Sequence, residues 1–160
     1  MEKFVDSLIR QIKAFFVDRD LNLRIITDFT KAQQQMPCIV LTRISGQPVK
    51  FVTVRIESKE ETAATLLRSN DAYSILFQLD IFSKSSRERD IIFSTLHNAL
   101  KNIKNTTYDD PILFRRITFF ESENDEDYFR YSLDCRFWGF NMFREAYDLV
   151  LETELNTTKT

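Results

Sequence analysis

Glycine is scarce in this chain. Its 160 residues include 2 Gly, 3 Pro, 2 Cys and 1 His, where average usage at this length gives roughly 11 Gly and 8 Pro. Phosphate cradles built from clustered glycines are excluded, because such loops need backbone that an anion can approach closely. One His and two Cys leave too few ligands for most zinc sites, which draw three or four mainly from those types. No Ser, Cys or Thr stands in a nucleophile elbow, whose flanking glycines are missing. Charge of one sign is lacking too. Against 24 Asp plus Glu there are 22 Lys plus Arg, a net charge of −2, without the basic excess of a dedicated nucleic-acid binder. No run approaches the roughly 18 consecutive apolar residues of a membrane span. The charged start, Met1-Glu2-Lys3-Phe4-Val5-Asp6-Ser7-Leu8, has no continuous apolar core of the kind a signal peptide carries. These absences argue against the commonest enzyme classes, leave no cofactor or metal site expected, and fit a chain made inside the cell.

What is present is enough apolar material for one core. Hydrophobic residues make up 43% of the chain, and its length fits a single domain of about 150 residues. Residues 2–18 read as an amphipathic helix, with Phe4, Leu8, Ile12 and Phe15 on one stripe and Val5, Ile9 and Phe16 widening it. After Met36-Pro37 the run Cys38–Ile44 is β-branched and reads as a strand. Ser45-Gly46-Gln47-Pro48 is a turn signal. Val49–Glu57 alternates again, so the two runs predict a hairpin or a strand with its extension. Residues 58–71 are polar and read as a connector. Tyr73–Phe82 is the clearest strand, with Tyr73, Ile75, Phe77, Leu79 and Ile81 on one face. Ser85 and Glu88 fit a capping box opening a helix that runs to about Lys104, its apolar face Ile92, Leu96, Ala99, Leu100 and Ile103. Ile112–Glu121 and Tyr128–Trp138 read as a closing pair of strands around an acidic tip, Glu121–Asp127. The expected fold is α+β, a two-layer sandwich in which two helices pack on one face of a mainly antiparallel sheet of four to five strands. Residues 1–138 form one domain in this reading, with 139–160 an extension of uncertain structure.

Candidate chemistry is thin. His97 has no local carboxylate or hydroxyl partner and reads as an ordinary helix histidine. Asp80 and Asp134 alternate onto the polar face of their strands, which gives a catalytic carboxylate little support. Cys38 and Cys135 lie in apolar runs and read as reduced, buried thiols. The acidic tip lacks the central glycine and the twelfth-position Glu of a calcium loop, and reads as a solvated hairpin tip or a contact for a basic surface. Interaction surfaces are better supported. Val49, Phe51 and Val52 make an apolar arm that is costly in water unless it packs on the core or on another chain. Arg115, Arg116, Arg130 and Arg136 fall on strand positions facing away from the helices, which make either a solvated sheet face or one where arginine meets the carboxylates of a neighbouring copy. Trp138 and Phe140 fit interface anchors.

One passage is sharper. Phe77-Gln78-Leu79-Asp80-Ile81-Phe82-Ser83-Lys84-Ser85-Ser86-Arg87-Glu88 runs from strand into capped helix and resembles the "LDIxSKSxxE" passage of the tail terminator proteins of long-tailed bacteriophages, also called tail-to-head joining or tail completion proteins. The N-terminal helix, the strand opening at Pro37 and the aromatic closing strand Arg130–Trp138 are similar too. The resemblance implies a structural virion protein at the head-proximal end of a viral tail, assembled in the host bacterial cytoplasm. Its partners would be further copies in a ring, usually a hexamer, together with the tail tube protein and a head-side connector. DNA would pass through the lumen without sequence-specific binding, and no membrane would be involved. Related neck, head-completion and tube proteins share similar architecture, and a small ferredoxin-like ligand-binding regulatory domain is the reading from another class.

Overall fold

The computed structural model describes residues 2–49, 53–59, 63–104 and 110–148, with side-chain surroundings for 2–49, 72–104 and 110–141. The fold is α+β. In chain order it comprises α1 (Glu2–Val17), β1 (Arg24–Ile26), two short 3-10 turns (Phe29–Lys31 and Gln33–Gln35), β2 (Cys38–Val49), β3 (Thr53–Lys59), β4 (Ala63–Ser83), α2 (Ser86–Asn102), β5 (Ile112–Asn124) and β6 (Phe129–Asp148). The sheet order is β1-β2-β4-β6-β5, with β3 also paired to β4. Every pairing is antiparallel except β1 with β2. β1 was not visible in the sequence because three residues are too short to show alternation.

Cross-strand rows build the core. Ile39 pairs with Ile81 and Ile81 with Tyr131; Leu41 pairs with Leu79 and Leu79 with Leu133; Phe77 pairs with Cys135 and Cys135 with Ile117. Because strand side chains alternate faces, these rows fall on one side of the sheet. They share a single hydrophobic cluster with Phe4, Leu8, Ile12 and Phe16 of α1 and with Ile92, Leu96 and Leu100 of α2. The α1 stripe therefore advances by four throughout and buries Phe16, while Phe15 is half-buried with the Arg19 guanidinium 3.4 Å from its ring centre. Gly139 admits the helix to the sheet: a Cβ there would lie 2.8 Å from Ile75 Cδ1 and 3.0 Å from the Phe4 ring. The α2 start differs from a simple capping box. Ser85 Oγ accepts from the Glu88 backbone N–H at 3.2 Å. The Glu88 carboxylate, however, accepts from the Ser83 hydroxyl, whose oxygen accepts in turn from the Ser85 N–H at 3.3 Å. Ser83, fully buried, thus relays the second half of the cap.

The largest corrections concern strand length. Ser45-Gly46-Gln47-Pro48 is not a turn: β2 runs through it, with Pro48 opposite Tyr73. Beyond Val40, where the β1 pairing ends, β2 pairs among the described residues with β4 alone, and an edge position tolerates a proline that can donate nothing. Residues 63–71 are not a connector but the first part of β4, flanked by β3 on one side and by β6 on the other. The chain after Trp138 continues β6 to Asp148, paired with β4 as far as Ala63. Residues 149–160 lie outside the described residues. β4 has 21 residues, about 70 Å of extended chain at roughly 3.3 Å per residue. A compact chain of this size is only about 40 Å across by the usual size scaling. The outer part of β4, with β3 and the end of β6, therefore forms a three-stranded arm.

Candidate interaction surface

The face of the sheet away from the main core has two unlike ends. At one end Cys38, Val40 and Phe82 form a second buried cluster with Ala32, against which Ile26, Met36 and Tyr128 pack. The segment holding the two 3-10 turns closes this end, with the Phe29 and Phe82 rings meeting edge-on at 5.4 Å. Arg130 reaches in beside it. Its Nε and Nη2 donate to Asp80 Oδ1 at 3.0 and 2.7 Å, and Nη1 donates to Glu123 at 3.1 Å. Asp80 is 1% exposed. Burial works against the guanidinium charge, but the hydrogen bonds and charges of Asp80 and Glu123 outweigh it and hold Arg130 above the ordinary arginine range. Arg130 is thus committed within its own chain, which leaves it little to offer a partner. Asp80, the acidic residue on the strand side of the strand-to-helix passage, is a buried partner of Arg130.

Further along the same face neither hydrophobic cluster reaches. Arg136 lies directly opposite Arg116, an arrangement of like charges that is unfavourable in itself. Arg136 Nη1 donates to Ser74 Oγ at 2.8 Å, while its buried Nε has no hydrogen-bond partner. A break in register between Phe114 and Arg116 falls at Arg115 and turns that guanidinium over the Trp138 ring, 4.1 Å from its centre. Val49, Ala72, Trp138 and Phe140 line a small apolar cavity of about 40 Å³ beside them. The structure therefore brings together Val49, Arg115, Arg136 and Trp138 and sets Arg130 apart. Phe51 and Val52 lie outside the described residues. The neighbouring Asp134 has its carboxyl pushed up by desolvation and by the Asp80 charge.

Other candidates settle into structural roles. His97 stacks on Phe93, ring centres 5.9 Å apart, and desolvation followed by the Lys101 charge pushes it below its ordinary value. Cys38 and Cys135 are both buried free thiols, pushed up by desolvation to about 11 and about 12. They belong to different clusters. A cleft of about 350 Å³ lies between Leu21, Leu23 and Pro37 and the start of α2, but its polar wall includes Ser85 and Glu88, already used in the helix cap. Among the described residues no helix is long and apolar enough to cross a membrane, and no group of three metal-ligating side chains converges.

Sequence reasoning missed Arg89. It is 6% exposed, donates to Asn124 Oδ1 at 2.7 Å and lies 3.8 Å from the Tyr131 ring centre. With Tyr131 donating to Asp90 at 2.7 Å, it ties the base of the acidic tip to α2. The Ser-Arg-Glu-Arg run at the helix start carried no signal separating this arginine from its solvated neighbours. Among the described residues the chain is an α+β fold whose sheet carries an arginine-bearing stretch that neither hydrophobic cluster covers. The chain matches no protein-family model and no curated protein.

Proposed function

We propose that this chain is a structural, non-enzymatic protein whose copies form a ring that caps a bacteriophage tail tube, stops its growth and offers a docking surface to the head-side connector. The observation that carries the reading is the three-stranded arm made by β3, the first part of β4 and the end of β6. It is longer than a chain of this size needs to enclose its core, and a projecting strand edge can pair with another chain. A ring also needs two different surfaces per subunit that close by rotation. The arginine-bearing face is one such surface, and the arm adds a further contact to a neighbouring copy. The net charge of −2 suits a lumen through which DNA must pass without being held. The strand-to-helix passage that carries the resemblance is tied by the Asp80–Arg130 pair and the Ser83–Glu88 hydrogen bond.

The test is a tube-growth assay. Purified tube subunits are polymerised with and without the protein, and tube lengths and ends are imaged. Shortened tubes with one extra ring at one end are expected. Unaltered lengths with bare ends would overturn the reading, and incorporation along the whole tube would mark a tube-type subunit instead.

A further inference from the structure

We propose that the acidic β5–β6 tip of one copy docks on the arginine-bearing face of a second copy, making a head-to-tail contact between subunits. This deepens the ring reading and rests on it for the premise that copies associate. The tip, residues 121–127, is exposed throughout and holds Glu121, Glu123, Asp125, Glu126 and Asp127. Of these, Glu123 is spent on Arg130 and Tyr128, and Asp125 accepts from the Asp127 backbone N–H in the turn. Among the described residues Glu121, Glu126 and Asp127 form no ion pair. The tip is also held in place, by Arg89 on Asn124 and by Arg130 on Glu123. Docking it therefore costs little ordering entropy.

The receiving face has the opposite character. Arg116 sits across from Arg136, and Arg115 lies at the register break beside them. Among the described residues none of the three pairs with a carboxylate. Two guanidinium groups opposite each other on paired strands, with the exposed Arg115 beside them, call for carboxylates, which accept from arginine in bidentate fashion. The chain cannot supply them from its own tip. Both features lie on one hairpin, and Arg136 stands seven residues from the tip-side end of β6 at Phe129, about 23 Å along an extended strand. A second copy brings the two together. Because the two surfaces differ and lie apart on the subunit, the contact is heterologous and repeats from copy to copy, closing into a ring when the rotation allows.

Charge reversal on each side separately, followed by mixing, tests the contact. One variant carries Arg115→Glu and Arg116→Glu, both exposed positions; the other carries Glu126→Lys and Asp127→Lys. Circular dichroism establishes that both are folded, and sedimentation velocity at low salt reads their mass. Each variant alone sets like charge against like and is expected to self-associate at least tenfold more weakly than the parent. An equimolar mixture places each reversed face against a reversed tip and each native face against a native tip, so assembly is expected to return. Parent-like assembly of either variant alone, no recovery on mixing, or a parent that stays single at every concentration would overturn the contact. Tube capping by the parent is read separately, so loss of this contact and failure of the capping role are distinguishable.

Discussion

Arg130 and Arg136 stand six residues apart on one strand and on one face of the sheet, yet the fold treats them in opposite ways. Arg130 is enclosed by Asp80, Glu123 and two phenylalanine rings. Arg136 faces another arginine, holds one serine and keeps a buried Nε without an acceptor. The difference comes from residues 28–36, which fold over one end of the sheet and not the other. Where that segment lies, a polar strand position becomes a buried ion pair. Where it does not, the same residue type faces outward. One face of a sheet can therefore serve both the fold and an interface, divided by a short covering segment.

The sharpest way to break this comparison is to remove each arginine in turn. Arg130→Ala leaves Asp80 buried without its cation and is expected to cost about 3–5 kcal/mol. Arg136→Ala, which also relieves the Arg116 repulsion, is expected to cost less than about 1 kcal/mol. Urea unfolding of both variants decides the matter, and equal losses would erase the distinction. A control comes from the closed side of the sheet. Gly139→Ala forces a methyl group against Ile75 and Phe4 and is expected to cost about 1–3 kcal/mol, seen as a lower melting temperature.

Smaller effects sharpen the picture. Ser85→Ala removes the α2 cap and is expected to cost about 1 kcal/mol, read by thermal unfolding. Asp134 lies between the two arginines along the strand, and its pKa is raised in the fold by desolvation and by Asp80. A carboxyl with a raised folded-state pKa binds its proton more tightly folded than unfolded, so stability from this group grows as pH falls through that value. Asp134→Asn is therefore expected to be neutral or slightly stabilising at pH 7. That small advantage should disappear below the ordinary aspartate range, when melting temperatures are compared across pH.

Much of the fold was legible because alternation is a local signal. The rows through Ile75, Phe77, Leu79 and Ile81 and through Leu133, Cys135 and Phe137 could be read directly, as could the apolar face of α2. Strand length could not. Residues 63–71 and 142–148, which pair with each other in the arm, alternate poorly and so carry no strand signal, and Ser45-Gly46-Gln47-Pro48 carries turn chemistry that an edge strand nonetheless accommodates. The interface candidates were legible as residue types only. Arginine on the polar face of a strand looks the same whether its carboxylate lies across the sheet, as Asp80 does for Arg130, or, among the described residues, is absent, as for Arg136. Position in the folded sheet separates them, and that depends on contacts remote in sequence.

Sedimentation of the parent chain across a salt series tests most directly whether the open face and the acidic tip exist for further copies of the same chain. The account predicts a discrete multi-subunit species at low ionic strength that dissociates as salt screens the arginine–carboxylate contacts, with the circular dichroism spectrum unchanged. A single-chain mass at every salt and protein concentration would contradict it.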